Sequence, residues 1–155
     1  RGRSALAIEL SPGASLADIG SGAGLPGMVL AILHNGPVTL VEPRRLRCQF
    51  LTAVKSSLSL ANLTILQAKA QAINGSFDVI TARAVAPMME LLGITMHLTH
   101  KNSKYLLMKG RRAQSELEEA EGAWQGQFRL VSSQTDPDAA IIVAQGVRRR
   151  IRGSQ

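Results

Sequence analysis

The feature that most constrains the fold of this chain is a glycine-rich turn directly after a short apolar segment. The segment, residues 16–19, carries one acidic residue, Asp18, and a helical pattern follows the turn. The turn has glycine at four positions, which are Gly20, Gly22, Gly24 and Gly27. Glycine adopts left-handed dihedrals and lets a ligand approach bare backbone, and a following helix offers its free N–H groups. The pattern predicts a strand, a turn and a helix around a nucleotide-like ligand.

Strand-like and helix-like segments alternate along the rest of the chain. The predicted strands are Leu16–Ile19, Val38–Val41, Asn62–Gln67, Phe77–Thr81, Lys104–Met108, Phe128–Ser132 and Ala139–Ala144. The predicted helices are Pro26–Leu33, Arg44–Leu60, Met88–Leu98 and Ala113–Ala123. Alternation favours parallel pairing through right-handed crossovers, with helices on both faces of the sheet. Because no helix separates the last two strands, we expect an α/β fold whose seven-stranded, mostly parallel sheet has an antiparallel C-terminal edge hairpin.

The chain is basic, and its length of 155 residues predicts a single domain, 1–155. Lys and Arg outnumber Asp and Glu by 18 to 11, a formal net charge of +7, and aromatic residues make up only 3%. Clustered cations gain affinity for phosphate by releasing counterions, so the charge favours a polyanionic partner over mere solubility. Three arginine bunches, which could share one face, are Arg44, Arg45 and Arg47, then Arg111 and Arg112, then Arg148, Arg149, Arg150 and Arg152 in a basic tail, 148–155.

Several classes of protein are disfavoured by what the sequence lacks. Cys48 is the only cysteine, so no intrachain disulfide forms, and its helical segment predicts a buried thiol in a cytoplasmic protein. No apolar run approaches the roughly 20 residues that span a bilayer. The three histidines are scattered along the sequence, and we expect them at surfaces or helix ends rather than in a metal site or a catalytic triad. They are His34, His97 and His100. A helix face that we interpret as merely solvated comprises Glu116, Glu118, Glu119 and Glu121.

The glycine turn fits two sequence registers. One starts at Gly22 and matches G-x-G-x-x-G, the dinucleotide fingerprint, but it begins late after the strand and places Pro26 inside the expected helix. The other, D-x-G-x-G-x-G from Asp18, lies directly at the strand end and resembles the turn of class I S-adenosylmethionine-dependent methyltransferases. Glu42 follows the second predicted strand, about 20 residues after the turn, where a carboxylate accepts hydrogen bonds from ribose hydroxyls. Since both registers need that acid, it predicts a nucleoside without choosing between them.

Longer runs resemble one methyltransferase family. These runs are GSGAGLPG at 20–27, FDVITARAVAP at 77–87, LMKGR at 107–111 and SQTDP at 133–137. In them the chain is similar to the bacterial 16S ribosomal RNA guanine-N7 methyltransferases, also called glucose-inhibited division protein B. The resemblance implies a Rossmann-like class I fold, S-adenosylmethionine as cofactor, and methyl transfer to N7 of one guanine in 16S rRNA or the small ribosomal subunit. It also implies that residues 1–14 are the remnant of a longer N-terminal helical segment.

The resemblance further implies a set of cofactor contacts. Carried over onto this chain, they fall on Gly20 and Leu25 in the turn and on Ala70 and Gln71 beside the adenine. Arg83, after the fourth strand, would lie beside the methionine end of the cofactor or the incoming guanine. Where this chain has Gln71 the family commonly has Glu, so an acceptor is kept and a charge is lost. The complete predicted cofactor site comprises Asp18, Gly20, Gly22, Gly24, Leu25, Glu42, Ala70, Gln71 and Arg83. For Asp18, capping the N–H groups of the turn is an equal alternative.

Transfer to guanine N7 asks for positioning rather than proton removal, because N7 carries a free lone pair at neutral pH. Arg83 and Lys109, each at the end of a predicted strand, are the predicted catalytic residues. We expect both to hold O6 or a flanking phosphate, since a donor on N7 would block the lone pair; a structural salt bridge is the alternative for each. Arg111 and Arg112 are predicted to bind RNA phosphate.

Two other functions stay open on the sequence. The Gly22 register fits an NAD(P)-dependent oxidoreductase. Gln71 and the short N-terminal region fit a ribosome- or RNA-binding remnant of the family with an impaired cofactor site. In all three cases we expect a cytoplasmic protein without membrane contact, and a monomer.

Overall fold

The computed structural model describes residue 6 and the ranges 9–83, 85–133 and 136–151. Parts of three predicted features lie outside these residues: positions 1–5 and 7–8 of the N-terminal remnant, 84 and 134–135 of the family-like runs, and 152–155 of the basic tail.

Within the described ranges, seven strands form one sheet. They are β1 (Leu16–Ile19), β2 (Val38–Val41), β3 (Leu63–Leu66), β4 (Phe77–Arg83), β5 (Thr99–Lys109), β6 (Trp124–Ser132) and β7 (Ala140–Arg149). Their order across the sheet is β3-β2-β1-β4-β5-β7-β6. The first five strands are parallel, and β7 inserts antiparallel between β5 and β6. The predicted sheet with its antiparallel C-terminal hairpin is confirmed.

Four α-helices connect the described strands, as predicted. They are α1 (Gly27–Leu33), α2 (Arg45–Leu58), α3 (Met88–Thr95) and α4 (Ala113–Glu121), with 3-10 turns at Ala70–Ala72 and Met96–Leu98. The helix predicted over 88–98 is therefore divided between α3 and a 3-10 turn. Helix α2 ends before Ser59 because that residue adopts a left-handed conformation with φ 52°. The chain reverses there and starts towards β3.

The last three strands are longer than predicted. Strand β5 begins at Thr99 instead of Lys104, β6 begins at Trp124 instead of Phe128, and β7 continues to Arg149 instead of Ala144. The added residues are mostly polar or glycine, which hides them from a search for apolar runs, but they are held by pairing between strands. Arg148 and Arg149 are thus the end of β7 rather than the start of a tail.

Buried side chains lie on both faces of the sheet, because neighbouring strand residues point to opposite sides. On one face Ala17 and Ile19 pack in a cluster that includes Leu91 of α3 and Leu117 of α4. On the other face a second cluster joins strand residues to helices α1 and α2, and it contains Leu6, Leu16, Leu30, Leu40 and Leu51. The predicted placement of helices on both faces is confirmed. None of the helices within the described ranges is long and apolar enough to cross a membrane.

Strand direction separates the arginine bunches. The first two bunches follow β2 and β5, so they lie at the carboxyl edge of the parallel strands together with the glycine turn after β1. The C-terminal bunch begins in the last residues of antiparallel β7, where Arg148 is paired with Gln125 at the start of β6. The described arginines of this bunch, Arg148, Arg149 and Arg150, therefore lie at the opposite edge, and the three bunches do not share one face. Chain order reverses between β1 and β4, the switch point where open α/β sheets bind ligands.

Candidate active site

The glycine turn opens from β1 at that switch point. Gly20, Gly22 and Gly24 have φ of 65°, 55° and 101°, in the region that favours glycine. Gly27 starts α1 and approaches the sheet closely. A Cβ on Gly27 would lie 2.3 Å from Leu40 Cδ2 and 2.5 Å from Asp18 Oδ2. The absence of a side chain at Gly27 thus lets the start of α1 pack directly against Asp18 of β1 and Leu40 of β2.

Asp18 of β1 forms buried hydrogen bonds to the start of α1 and to β4. Its side chain is 1% exposed; Oδ2 accepts the Gly27 N–H at 3.2 Å and Oδ1 accepts the Thr81 hydroxyl at 2.7 Å. Burial raises the pKa of Asp18 to about 6, against hydrogen bonds that lower it. Both carboxylate oxygens thus accept hydrogen bonds from within the protein, one from α1 and one from β4. The bond from the Gly27 N–H agrees with the alternative in which Asp18 caps the glycine turn. Direct contact of Asp18 with cofactor stays a prediction.

Glu42 lies at the end of β2, beside the turn. It is 4% exposed; Oε2 accepts the Gly22 N–H at 2.9 Å, and Oε1 accepts the Arg44 N–H at 3.1 Å. A Cβ on Gly22 would be 3.0 Å from Arg47 Nη1, so the Arg47 guanidinium borders the same turn. The proximity of the acid to the glycine turn, expected from their positions after neighbouring strands, is present in the structure. Each carboxylate oxygen has lone-pair capacity for a further donor.

Cys48 supports Glu42 from α2. Its thiol is buried and donates to the Glu42 carbonyl oxygen at 3.1 Å. Burial, and then the charge of Glu42, raise the pKa of the Cys48 thiol. The predicted burial of the Cys48 thiol is confirmed, and a raised pKa does not favour a nucleophilic thiolate.

The turn after β3 carries the residues predicted to flank adenine. Ala70 is buried in the 3-10 turn and Gln71 is exposed next to it. His97 holds this turn, because its Nε2 lies 3.1 Å from the carbonyl oxygens of both Ala70 and Ile73. The sequence predicts His97 only at a surface or a helix end, because no local signal reveals a contact across more than twenty residues. The backbone also connects this region to Glu42, whose carbonyl accepts the Ala68 N–H at 3.2 Å.

Arg83 ends β4 and is exposed at the same edge. No hydrogen bond or ion pair joins its guanidinium to any described residue, so the structural salt bridge considered above is absent there. The loop that follows lies against the glycine turn. A Cβ on Gly20 would approach Val85 Cγ2 to 2.7 Å. The structure therefore brings the turn, the end of β4 and the exposed Arg83 together.

Lys109, the last residue of β5, contacts the loop that follows β4. Its side chain is 6% exposed, and Nζ donates to the Ala86 carbonyl at 2.7 Å and pairs with Glu116 Oε1 at 3.0 Å. The same Glu116 oxygen accepts the Met88 N–H at 3.1 Å. Glu116 is thus an anchor between β5, the loop and α3, and the interpretation of it as a merely solvated residue is wrong. In this structure Lys109 takes the structural salt bridge that was its alternative, and its contact with guanine or phosphate stays a prediction.

The second arginine bunch continues this edge after β5. The Arg111 side chain is 80% exposed and pairs with Asp138 at 3.0 Å, while Arg112 is exposed directly before α4. The C-terminal bunch is used differently: the Arg149 guanidinium lies 4.4 Å from the centre of the buried Trp124 ring, and the Arg150 N–H donates to the Ala123 carbonyl at 2.9 Å. Exposed positive charge at the edge that holds the glycine turn therefore comes from Arg83 and the first two bunches.

The histidines lie apart from this edge or serve the backbone. Nε2 of His34 lies 2.7 Å from the Ala14 carbonyl oxygen, and Nε2 of His100 lies 2.8 Å from Asp78 Oδ1. In the part of the chain that the structure describes, no three His, Cys, Asp or Glu side chains are close enough to hold a metal ion.

The strand order, the antiparallel seventh strand, the glycine turn and the acid at the end of β2 together define a class I methyltransferase domain. The structure superposes on that of an S-adenosylmethionine-dependent methyltransferase from Aquifex aeolicus with a TM-score of 0.71 over 88% of this chain and 84% of the other, at 15% identity. Such low identity shows the fold alone, and it confirms the Rossmann-like class I prediction.

The chain belongs to the rRNA small subunit methyltransferase G family, whose model matches residues 4–137. It is 47% identical to the ribosomal RNA small subunit methyltransferase G of Rhizorhabdus wittichii over 89% of this chain, and 46% identical to that of Zymomonas mobilis over 82%. The chain spans 65% and 58% of the lengths of these two relatives. The family resemblance read from the sequence is confirmed, and the dinucleotide register is not favoured.

Proposed function

We propose that this chain is the catalytic domain of an enzyme that transfers a methyl group from S-adenosylmethionine to N7 of one guanine in 16S rRNA. The observation that carries the proposal is the buried Glu42 carboxylate on the Gly22 N–H, at the sheet's switch point, in a chain of the methyltransferase G family. A nucleoside cofactor needs that acid and that bare backbone in contact. An oxidoreductase has no comparable support from family or register.

The residues at this edge fit S-adenosylmethionine. The glycine turn leaves backbone exposed where side chains would block it, and Glu42 offers acceptor capacity to ribose hydroxyls. Ala70 and Gln71 border the expected position of adenine, in a turn that His97 fixes. Asp18 acts on the cofactor indirectly, by holding α1 against the turn. When bound, the cofactor supplies an activated methyl group on a sulfonium.

The chain's own residues then position guanine. Arg83 stands exposed at the end of β4, without a hydrogen-bonding partner among the described residues, and is free to hold O6 or a phosphate. A general base is not required for N7, which agrees with the histidines being engaged with backbone or with Asp78. The exposed Arg111 and Arg112 extend the positive edge along which an RNA backbone is attracted. We expect the protein to act as a monomer in the bacterial cytoplasm, where this RNA lies.

Mass mapping of rRNA tests this function. The chain is incubated with methyl-labelled S-adenosylmethionine and either naked 16S rRNA or small ribosomal subunits, and the RNA is then digested and sequenced by mass. We expect one added methyl group on one guanine, with the backbone cleavage chemistry that is specific for N7-methylguanine. A Glu42→Ala variant is the control, because it should lose cofactor binding.

Two results contradict the proposal. RNA binding without label transfer, under conditions where a full-length relative is active, favours the impaired remnant. Uptake of NADH without uptake of S-adenosylmethionine, measured by equilibrium dialysis, favours the oxidoreductase.

A further inference from the structure

A polar cleft of about 520 Å³ lies at the edge of the sheet opposite the candidate active site. It lies where β5 and β6 begin and antiparallel β7 ends. Its side chains are two cations and four amides, from Lys101, Asn102, Gln125, Gln127, Gln145 and Arg148. Its volume is in the range of small-ligand sites, but no aromatic or aliphatic side chain of the described residues lines it.

A glycine-containing bulge shapes this cleft. Gln125 is paired with Arg148, and Gln127 with Gln145, so β7 has one residue more than β6 between the two pairs. Gly146 supplies the left-handed conformation that the bulge needs, with φ 60°. A Cβ on Gly126 would come within 2.8 Å of the Gln145 carbonyl oxygen. Bulges of this kind bend a strand and redirect its side chains, and they are common beside functional sites.

The charge and the hydrogen-bonding groups of the cleft fit one chemistry. Among the described residues that line it, two are cations and none is acidic. Arg148 donates to Gln125 Oε1 at 3.1 Å, which orients its guanidinium, while the Lys101 ammonium has no hydrogen bond or ion pair with any described residue. Cations bind phosphate oxygens, and amides both donate to and accept from the polar edges of bases. A phosphate with an adjoining base matches this lining.

We propose that this cleft is a second RNA-binding site, which holds a phosphodiester and a neighbouring base of the rRNA substrate on the far side of the domain from the methylated guanine. The proposal rests on the proposed function for the identity of the RNA. A polymer is favoured over a free nucleotide because six of the eight described lining residues, including Lys101 and Arg148, are exposed, so a continuous strand can enter and leave. The exposed Arg149 and Arg150 adjoin the cleft along the chain, although both already have partners within the protein.

Amide NMR on the ¹⁵N-labelled chain tests the two sites separately. The Gly126 and Gly146 N–H groups report on the cleft, and the Gly20, Gly22 and Gly24 N–H groups report on the active site. We expect a short single-stranded RNA to shift the cleft reporters, and S-adenosylmethionine to shift only the reporters in the turn. AMP and inorganic phosphate are the probes for a free nucleotide or anion.

Variants that remove the two positive charges of the cleft test the site quantitatively, through the salt dependence of RNA affinity. Lys101→Gln with Arg148→Gln should lower the slope of log affinity for the RNA against log salt by about 0.7, the value for one phosphate contact of a single strand, and Lys101→Gln alone should lower it by part of that amount. Lys55→Gln, which removes one charge in the last turn of α2, is the matched control and should leave the slope unchanged.

Each outcome decides one question. RNA that shifts only the turn reporters, RNA that shifts no reporter, or equal slopes for Lys101→Gln and Lys55→Gln, would overturn the second site. Cleft shifts with AMP or phosphate but not with RNA would assign it to a free anion instead. Methyl transfer without cleft shifts refutes this site alone, whereas cleft shifts without methyl transfer refute the proposed function alone.

Discussion

Replacing Lys109 with Met tests whether the loop after β4 is held by an ion pair. The Lys109 side chain is 6% exposed and that of Glu116 is 18% exposed. Removing one partner of a buried pair costs about 3–5 kcal/mol, because the other charge stays buried and unpaired. Glu116 retains some solvent contact and its hydrogen bond from Met88, so we expect the lower end, a loss of about 3 kcal/mol.

A double-mutant cycle separates the pair from the rest of the side chain. Glu116→Gln keeps an acceptor for Lys109 and for the Met88 N–H, and should cost about 1 kcal/mol. The double variant, Lys109→Met with Glu116→Gln, leaves no unpaired charge, so its loss should be smaller than the sum of the single losses by about 1–2 kcal/mol. Urea unfolding monitored by Trp124 fluorescence measures each free energy, with a constant m-value as the check for two-state behaviour.

Additive losses, or a loss below about 1 kcal/mol for Lys109→Met, would refute this reasoning. The predicted catalytic role gives a different result. If Lys109 contacts guanine or phosphate, Lys109→Met lowers kcat for methyl transfer while the free energy of unfolding stays near that of the wild type. The two roles are thus distinguished by which quantity changes.

Three further predictions concern the site and its surface. Arg83→Ala should abolish most methyl transfer while S-adenosylmethionine still binds by calorimetry; unchanged turnover would make Arg83 dispensable. Arg111→Ala with Arg112→Ala should weaken RNA binding and lower its salt slope, and an unaltered slope would remove both residues from the interface. The folded pKa of Asp18, about 6, lies above its ordinary value of 3.8, so ionisation opposes folding. Asp18 should therefore remove about 3 kcal/mol of unfolding free energy as pH rises from 4 to above 6, and Asp18→Asn should lack this slope; equal slopes would contradict the assignment.

Sequence reasoning succeeds where position after a strand decides where a residue lies. The glycine turn and Glu42 follow β1 and β2, which are parallel neighbours, so their ends must meet at one edge. Local spacing is enough to predict this contact. The alternation of elements predicts the sheet and its antiparallel hairpin for the same reason.

Contacts that depend on tertiary packing and side-chain orientation cannot be predicted in this way. Glu116 lies in a helix rich in glutamate, and only the packing of α4 beside α3 and β5 selects it for Lys109 and Met88. Likewise, polar residues at the start of β5 resemble a loop. They are strand because Thr99 pairs with Phe77, and the Ser103 hydroxyl donates to the Phe77 carbonyl at 2.6 Å.

The direction of β7 has a consequence for how an RNA substrate is held. In a fully parallel sheet, arginines after the last strand would join Arg83 and Arg111 at the active edge; antiparallel β7 carries Arg148 to the other edge. If both proposed sites bind RNA, cations at both edges hold it at two separated points, and binding energy gained far from the reacting atoms can fix the orientation of the guanine. This arrangement suits the proposed reaction, which needs no general base, because alignment of N7 with the methyl group would then be the main task of the protein. It follows that loss of Lys101 and Arg148 should affect small RNA fragments that reach only the active edge much less than long rRNA.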